Sequence, residues 1–177
     1  MTETESNACN TTFLNVDVQY ALDDNEGEEP PSAQLVVDWA QHAYAELERP
    51  AVDNPELTIR IVDESEIQDL NRRYRDQDKT TNVLSFEFEN EFPSVAEITI
   101  GLLGDVVLCH EVIKREARDQ TKPLLDHYAH MVTHGVLHLC GYDHQNDVDA
   151  EIMEALEKKI LAKNNIPDPY SAIAARA

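Results

Sequence analysis

Apolar and polar residues follow two rhythms along this chain, and each change of rhythm marks an element. Residues 13–20 alternate with period two and place Leu14, Val16 and Val18 on one face, which predicts a strand. The same period returns at residues 56–62 through Leu57, Ile59 and Ile61. Residues 83–88 and 102–108 are rich in β-branched and aromatic residues and predict a third and a fourth strand. Between them the period lengthens to that of a helix. Leu35, Val36, Trp39, Ala40, Ala43 and Leu47 predict a helix over 34–47. A second helix is expected over 63–74, capped by Asp63 or Ser65, with Ile67, Leu70 and Tyr74 as its stripe.

Three more helices follow the last strand. Residues 110–120 carry charge on one side. Pro123 suits the first position of a helix running to Cys140. A final helix starts at Asp147, presents Ile152, Leu156 and Ile160 on one face, and ends near Asn164, since Pro167 forbids continuation. Residues 1–12 and 172–177 read as tails, and 23–31 as an acidic loop closed by Pro30-Pro31. Strands first and helices last indicate an α+β (mixed α/β) fold, a small four-stranded mixed sheet against about five helices. With 177 residues, 42% of them hydrophobic, residues 13–171 fit one domain with a single core.

Composition narrows the setting. No apolar run is long enough to span a bilayer, so no membrane partner is expected. The first residues lack the basic and apolar regions of a signal peptide, which points to the cytoplasm. Cys9, Cys109 and Cys140 are few and scattered, as in a reducing compartment. The formal charge of −21 argues against extensive contact with phosphates. The basic residues are clustered, however. Arg72, Arg73, Arg75 and Lys79 form one group, and Lys114, Arg115, Arg118 and Lys122 another, with 114, 118 and 122 expected on one helix face.

The chemistry concentrates in residues 134–144, His-Gly-Val-Leu-His-Leu-Cys-Gly-Tyr-Asp-His. His134 and His138 stand four apart, so a helix projects both from one face, the spacing two imidazoles need to reach one metal ion. Gly141 can end the helix in the left-handed conformation and turn the chain back, bringing His144 to the same point. Three ligands and an open position describe a catalytic rather than a structural zinc site. The helix also carries His127 and His130. His130 lies eight residues from His138, about 12 Å along the axis, so the two cannot share an ion. His130 is read as standing behind the ligands, and His127 as exposed. Cys140 is read as a small buried helix residue. His110 beside Cys109 is discounted as a metal pair, because adjacent helix residues point apart.

Gly135 occupies the place where a zinc protease of the H-E-x-x-H type carries its general base. Glycine moves no proton, so the gap is read as room for a neighbouring element or substrate. Asp143 can orient a ligand, accept a proton or simply form a turn. Gly104 is read as a close approach of backbones, and Asp105 as part of a strand-entry turn.

The pattern His-Gly-x-x-His-x-x-Gly-x-Asp-His resembles the YbeY family of bacterial single-strand-specific, metal-dependent endoribonucleases linked to ribosomal RNA maturation. The resemblance extends to the stretch Asn71-Arg72-Arg73-Tyr74-Arg75-Asp76-Gln77-Asp78-Lys79-Thr80-Thr81-Asn82-Val83-Leu84-Ser85-Phe86, to Leu103-Gly104-Asp105-Val106-Val107, and to Asp168-Pro169-Tyr170. Thr80 departs from the proline usual at that place. The resemblance implies a metal in a cleft at the C-terminal end of a central helix. It places the metal on His134, His138 and His144, makes Arg75 the catalytic arginine beside His134, and implies one zinc ion per chain. Its implied partners are single-stranded ribosomal RNA and components of the small ribosomal subunit, not DNA. Lys79, Arg72 and Arg73 are the expected substrate contacts. Two other readings stay open: an amide or ester hydrolase using the same zinc, and a non-catalytic ribosome-assembly factor whose metal is structural.

Overall fold

The computed structural model describes residues 13–23, 27–47, 54–88 and 101–171. In chain order these form β1 (Asn15–Ala21), α1 (Ala33–Ala45), β2 (Glu56–Val62), α2 (Glu64–Arg75), β3 (Val83–Glu87), β4 (Leu102–Cys109), α3 (His110–Asp119), α4 (Leu124–Leu139) and α5 (Asp147–Lys163). The strands make one mixed sheet in the order β1-β2-β4-β3. β1, β2 and β4 run parallel, and β3 pairs antiparallel at the edge, with Ser85 opposite Val106. This is the α+β architecture the periodicities predict. Expected tails 1–12 and 172–177, the loop at 89–93 and Cys9 lie outside the described residues.

Strand side chains alternate between faces, and the sheet uses both. Leu57, Ile59, Ile61, Val106 and Leu108 turn to the larger core, shared with α1, α3, α4 and α5. Val62, Val107 and Cys109 turn the other way and meet Ile67 of α2 and Val112. α4 is buried on most of its circumference, with Tyr128, Ala129, Val132, Val136 and Leu137 at 0% exposure. Such a helix is a core element rather than a surface one.

Two glycines set how closely α4 and the β3 edge approach the sheet. Gly104 holds φ +138°, and a Cβ there would lie 2.1 Å from the Phe86 carbonyl oxygen. Gly135 faces Val106, and a Cβ there would lie 2.5 Å from its Cγ1. The neighbouring element expected at Gly135 is therefore β4. Ser85 Oγ donates to the Gly135 carbonyl at 3.4 Å, tying β3 to α4.

Three expectations need correction. Pro123 is the cap before α4 rather than its first residue. α3 ends at Asp119, so Lys122 is not on the face of Lys114 and Arg118; its Nζ instead donates to the Pro169 carbonyl. α5 buries Met153, Glu157, Ile160 and Leu161, while Ile152 is half exposed. Its buried face is rotated from the one the aliphatic residues suggested, and a carboxylate sits in the middle of it.

Candidate metal centre

α4 carries His134 and His138 on successive turns, and their Nε2 atoms stand 3.1 Å apart. The helix ends at Gly141, φ +84°. Gly141 N–H donates to the His138 carbonyl at 2.9 Å, and Tyr142 N–H to the Leu137 carbonyl at 3.1 Å. This pair of bonds closes a helix that ends in a left-handed glycine. The reversal brings His144 back over the end of α4. One ring nitrogen from each of His134, His138 and His144 lies within 4.8 Å of the other two. The Asp143 carboxylate accepts from the His144 backbone N–H at 2.7 Å, so it shapes the turn that carries this ring.

The donor set fits a metal ion. Nitrogens bound at about 2.0–2.1 Å around a tetrahedral ion lie a little over 3 Å apart, close to the His134–His138 separation. Proton placement agrees. His134 Nδ1 stands 2.7 Å from Glu157 Oε1, and an ionised carboxylate only accepts, so Nδ1 carries the hydrogen. The Nε2 of a neutral His134 is then a free lone pair facing the other rings. Burial, and the facing His134 and His144, push the His138 pKa down to about 4, so that ring is uncharged at neutral pH.

Glu157 is fully buried on α5. Burial pushes its pKa up, but hydrogen bonds from His130 and His134 outweigh this and hold it at about 2. Its other oxygen meets His130 Nε2 at 3.3 Å and accepts from the Tyr170 hydroxyl. His130 thus stands behind His134, as its spacing suggested. His127 does not match expectation: it is 3% exposed, and its Nε2 bonds Glu116 at 2.8 Å. His110 is also buried, between the Tyr128 hydroxyl at 2.6 Å and the Glu28 carbonyl at 2.8 Å.

The three imidazoles line a cleft of 730 Å³ whose opposite wall comes from the α2–β3 connection, including Asn71, Arg75, Gln77, Asn82 and Ser85. α2 ends at Asp76 in the left-handed conformation, φ 55°. Gln77 N–H then donates to the Asn71 carbonyl at 3.2 Å, and Asn71 Nδ2 to the Lys79 carbonyl at 2.8 Å. Buried Asn71 therefore folds the loop back along the helix end. Arg75 Nη2 donates to the Ser85 carbonyl at 3.0 Å, which lays the guanidinium along the β3 edge. Arg72 and Arg73 are exposed, pair with Asp69 and do not line the cleft. Lys79 contributes its carbonyl to the loop, and its exposed side chain is not among the lining residues. Among the described lining residues Arg75 is the one arginine or lysine, and Glu87 and Asp143 line the same cleft.

With this geometry in hand, comparison with known proteins is decisive. The family model described as Endoribonuclease YbeY matches residues 21–165. The chain belongs to the YbeY family. A YbeY relative from Alcanivorax borkumensis, named Endoribonuclease YbeY, is 47% identical over 156 residues, covering 88% of this chain and 86% of its own length. The solution structure of TM1509 from Thermotoga maritima shares the fold with a TM-score of 0.50 and 21% identity, covering 85% of this chain and 91% of that one. The span matched by the YbeY model holds every cleft residue named above, together with Glu157, and stops before Tyr170. Among the described residues no helix is long and apolar enough to cross a membrane.

Proposed function

We propose that this protein is a metal-dependent endoribonuclease that cuts single-stranded RNA, acting in the cytoplasm in ribosomal RNA maturation and ribosome quality control, in contact with components of the small ribosomal subunit. The observation that carries the reading is the meeting of three imidazoles with one arginine among the described residues of one cleft. Bound there on His134, His138 and His144, one zinc ion would supply a Lewis acid for a phosphoryl oxygen and an acidified water.

The chain's own residues account for the rest. Arg75 is held through one N–H on Ser85, and its remaining donors are free to meet the phosphoryl oxygens as charge develops. The amides of Asn82 and Gln77 offer neutral donors and acceptors for ribose or base edges. His134 is only 21% exposed, so a phosphodiester must descend to it, which a flexible single strand does more readily than a stacked duplex. Gly135 weighs against an amide hydrolase of the H-E-x-x-H type. That position packs on Val106, so the space a general-base glutamate would need is filled by the sheet.

A charge of −21 and a cleft with one arginine or lysine among its described lining residues favour few phosphate contacts, with part of the affinity coming from basic proteins around the RNA. The same charge is what favours the alternative of an assembly factor with no cleavage of its own. The test is cleavage of an end-labelled single-stranded RNA by the zinc-loaded full chain, beside Arg75→Ala and His144→Ala. Arg75→Ala is expected to keep its metal and lose roughly 10²–10³ in rate. His144→Ala is expected to lose metal and cleavage together. Full cleavage by both variants would overturn the reading, and metal without cleavage in wild type, with ribosome binding intact, would favour the assembly factor.

A further inference from the structure

We propose that Glu157 is the positioning residue of the metal centre, orienting His134 through its Nδ1–H, and that Tyr170 anchors Glu157 for this task. The inference rests on the reading of His134, His138 and His144 as metal ligands, and it assigns a role to two residues outside that set.

A carboxylate with no solvent contact persists only where its lone pairs are occupied. Glu157 meets three donors: His134 Nδ1 at 2.7 Å on one oxygen, and His130 Nε2 at 3.3 Å and the Tyr170 hydroxyl on the other. Its neighbours on the buried face of α5 are Met153, Ile160 and Leu161. A methionine or leucine would fill the same place without desolvating a charge, so packing alone does not call for a carboxylate. What distinguishes it is the bond to His134, whose far nitrogen faces His138 at 3.1 Å. That bond selects the tautomer with the lone pair on Nε2 and fixes the ring plane, which is what an imidazole needs before it meets a metal.

Tyr170 is itself held in place. Its backbone N–H donates to the Asp168 carboxylate at 2.8 Å, its ring stands edge-on to His130 at 5.5 Å, and Lys158 Nζ lies 5.0 Å over the ring. A turn beyond α5 is thereby coupled to a ring on α4 through one carboxylate.

The test measures zinc affinity of the full chain by competition with a chromophoric chelator, together with the visible spectrum of the cobalt-substituted protein. Glu157→Gln keeps the shape and removes the charge. It is expected to weaken zinc binding about 10–100-fold and to change the cobalt spectrum, with one metal still bound at saturation. Tyr170→Phe removes one hydroxyl and is expected to weaken binding several-fold in the same direction. Wild-type affinity and spectrum in a folded Glu157→Gln would overturn the proposal. Should Glu157→Gln fail to fold, Tyr170→Phe decides, and unchanged affinity there overturns it. Failure of the underlying reading looks different: wild type itself would bind no metal, or His144→Ala would bind it equally well.

Discussion

Gly135→Ala tests the close packing of α4 on the sheet. The added methyl would stand 2.5 Å from Val106 Cγ1 and 3.0 Å from Cγ2. Carbon atoms settle at about 3.5–4.0 Å, so α4 must retreat from the sheet by roughly 1 Å or Val106 must leave its rotamer. Rotation is a poor escape, because a β-branched side chain in a strand has few alternatives and Val106 is completely buried. Overpacking of this kind costs about 1–3 kcal/mol, and the better helix propensity of alanine returns about 1. The expected net loss is up to about 2 kcal/mol, or a melting point lower by up to roughly 6 °C. Val106→Ala alone should cost about 2 kcal/mol through lost burial and the space left behind. The double variant puts the new methyl into that space, so its loss should fall short of the sum by about 1 kcal/mol. Urea unfolding followed by circular dichroism reads all four corners of the cycle. His134 and His138 ride on α4 together, so zinc affinity should change less than RNA cleavage, which on the proposed mechanism also uses Arg75 on the other wall. Additive losses around the cycle would refute the steric argument.

Other outcomes follow from contacts elsewhere. His127→Ala leaves Glu116 without its buried partner and should cost about 2–3 kcal/mol, whereas Arg72→Ala, on the surface, should stay within about 0.5 kcal/mol, both by chemical denaturation. Burial pushes the Glu116 pKa up, but hydrogen bonds from His127 and Asn82 outweigh it and hold it below the ordinary 4.5. Its stabilising effect is therefore complete above pH 4.5 and fades as pH falls through the depressed value, so Glu116→Gln should differ most from wild type near neutrality and converge with it in acid. Asp63 caps α2 by accepting from Glu66 N–H at 2.9 Å, and Asp63→Ala should cost about 1 kcal/mol in the same melts. Chelation should lower the melting point by roughly 5–10 °C from a sample holding metal at a hundredfold excess over Kd, yet leave the far-ultraviolet spectrum unchanged. A loss of helix signal on chelation would show that the core does not hold α4 by itself.

The scaffold was readable because each element has a strong local rhythm. Glu56–Val62 begins and ends where its alternation does, and the other elements begin and end within about two residues of their patterns. The approach of His134, His138 and His144 was readable for the same local reason, four residues of helix and a glycine. Glu157 was not, because the eye follows Ile152, Leu156 and Ile160, and only the packed position of α5 reveals which side faces α4. His127 was misjudged since its partner Glu116 comes from another helix, and no spacing announces a pair across two elements. Among the four clustered cations, only the contact with Ser85 separates Arg75 from Arg72 and Arg73, and that contact depends on how the α2–β3 loop folds over Asn71.

The order in which the parts occur along the chain bears on how the protein is made. The sheet is finished at Cys109, before any of the three clustered imidazoles, and Tyr170 comes after all of them. During synthesis, strands and early helices can pair before the three imidazoles are made, so a metal bound there would meet a prepared surface. Small zinc modules behave in the opposite way, since there the ion itself drives folding. A chain truncated between Glu157 and Tyr170 would carry the imidazole cluster and Glu157 but not the hydroxyl that meets that carboxylate. If Tyr170 anchors Glu157 as proposed, that truncated chain would hold a metal more weakly than the full one.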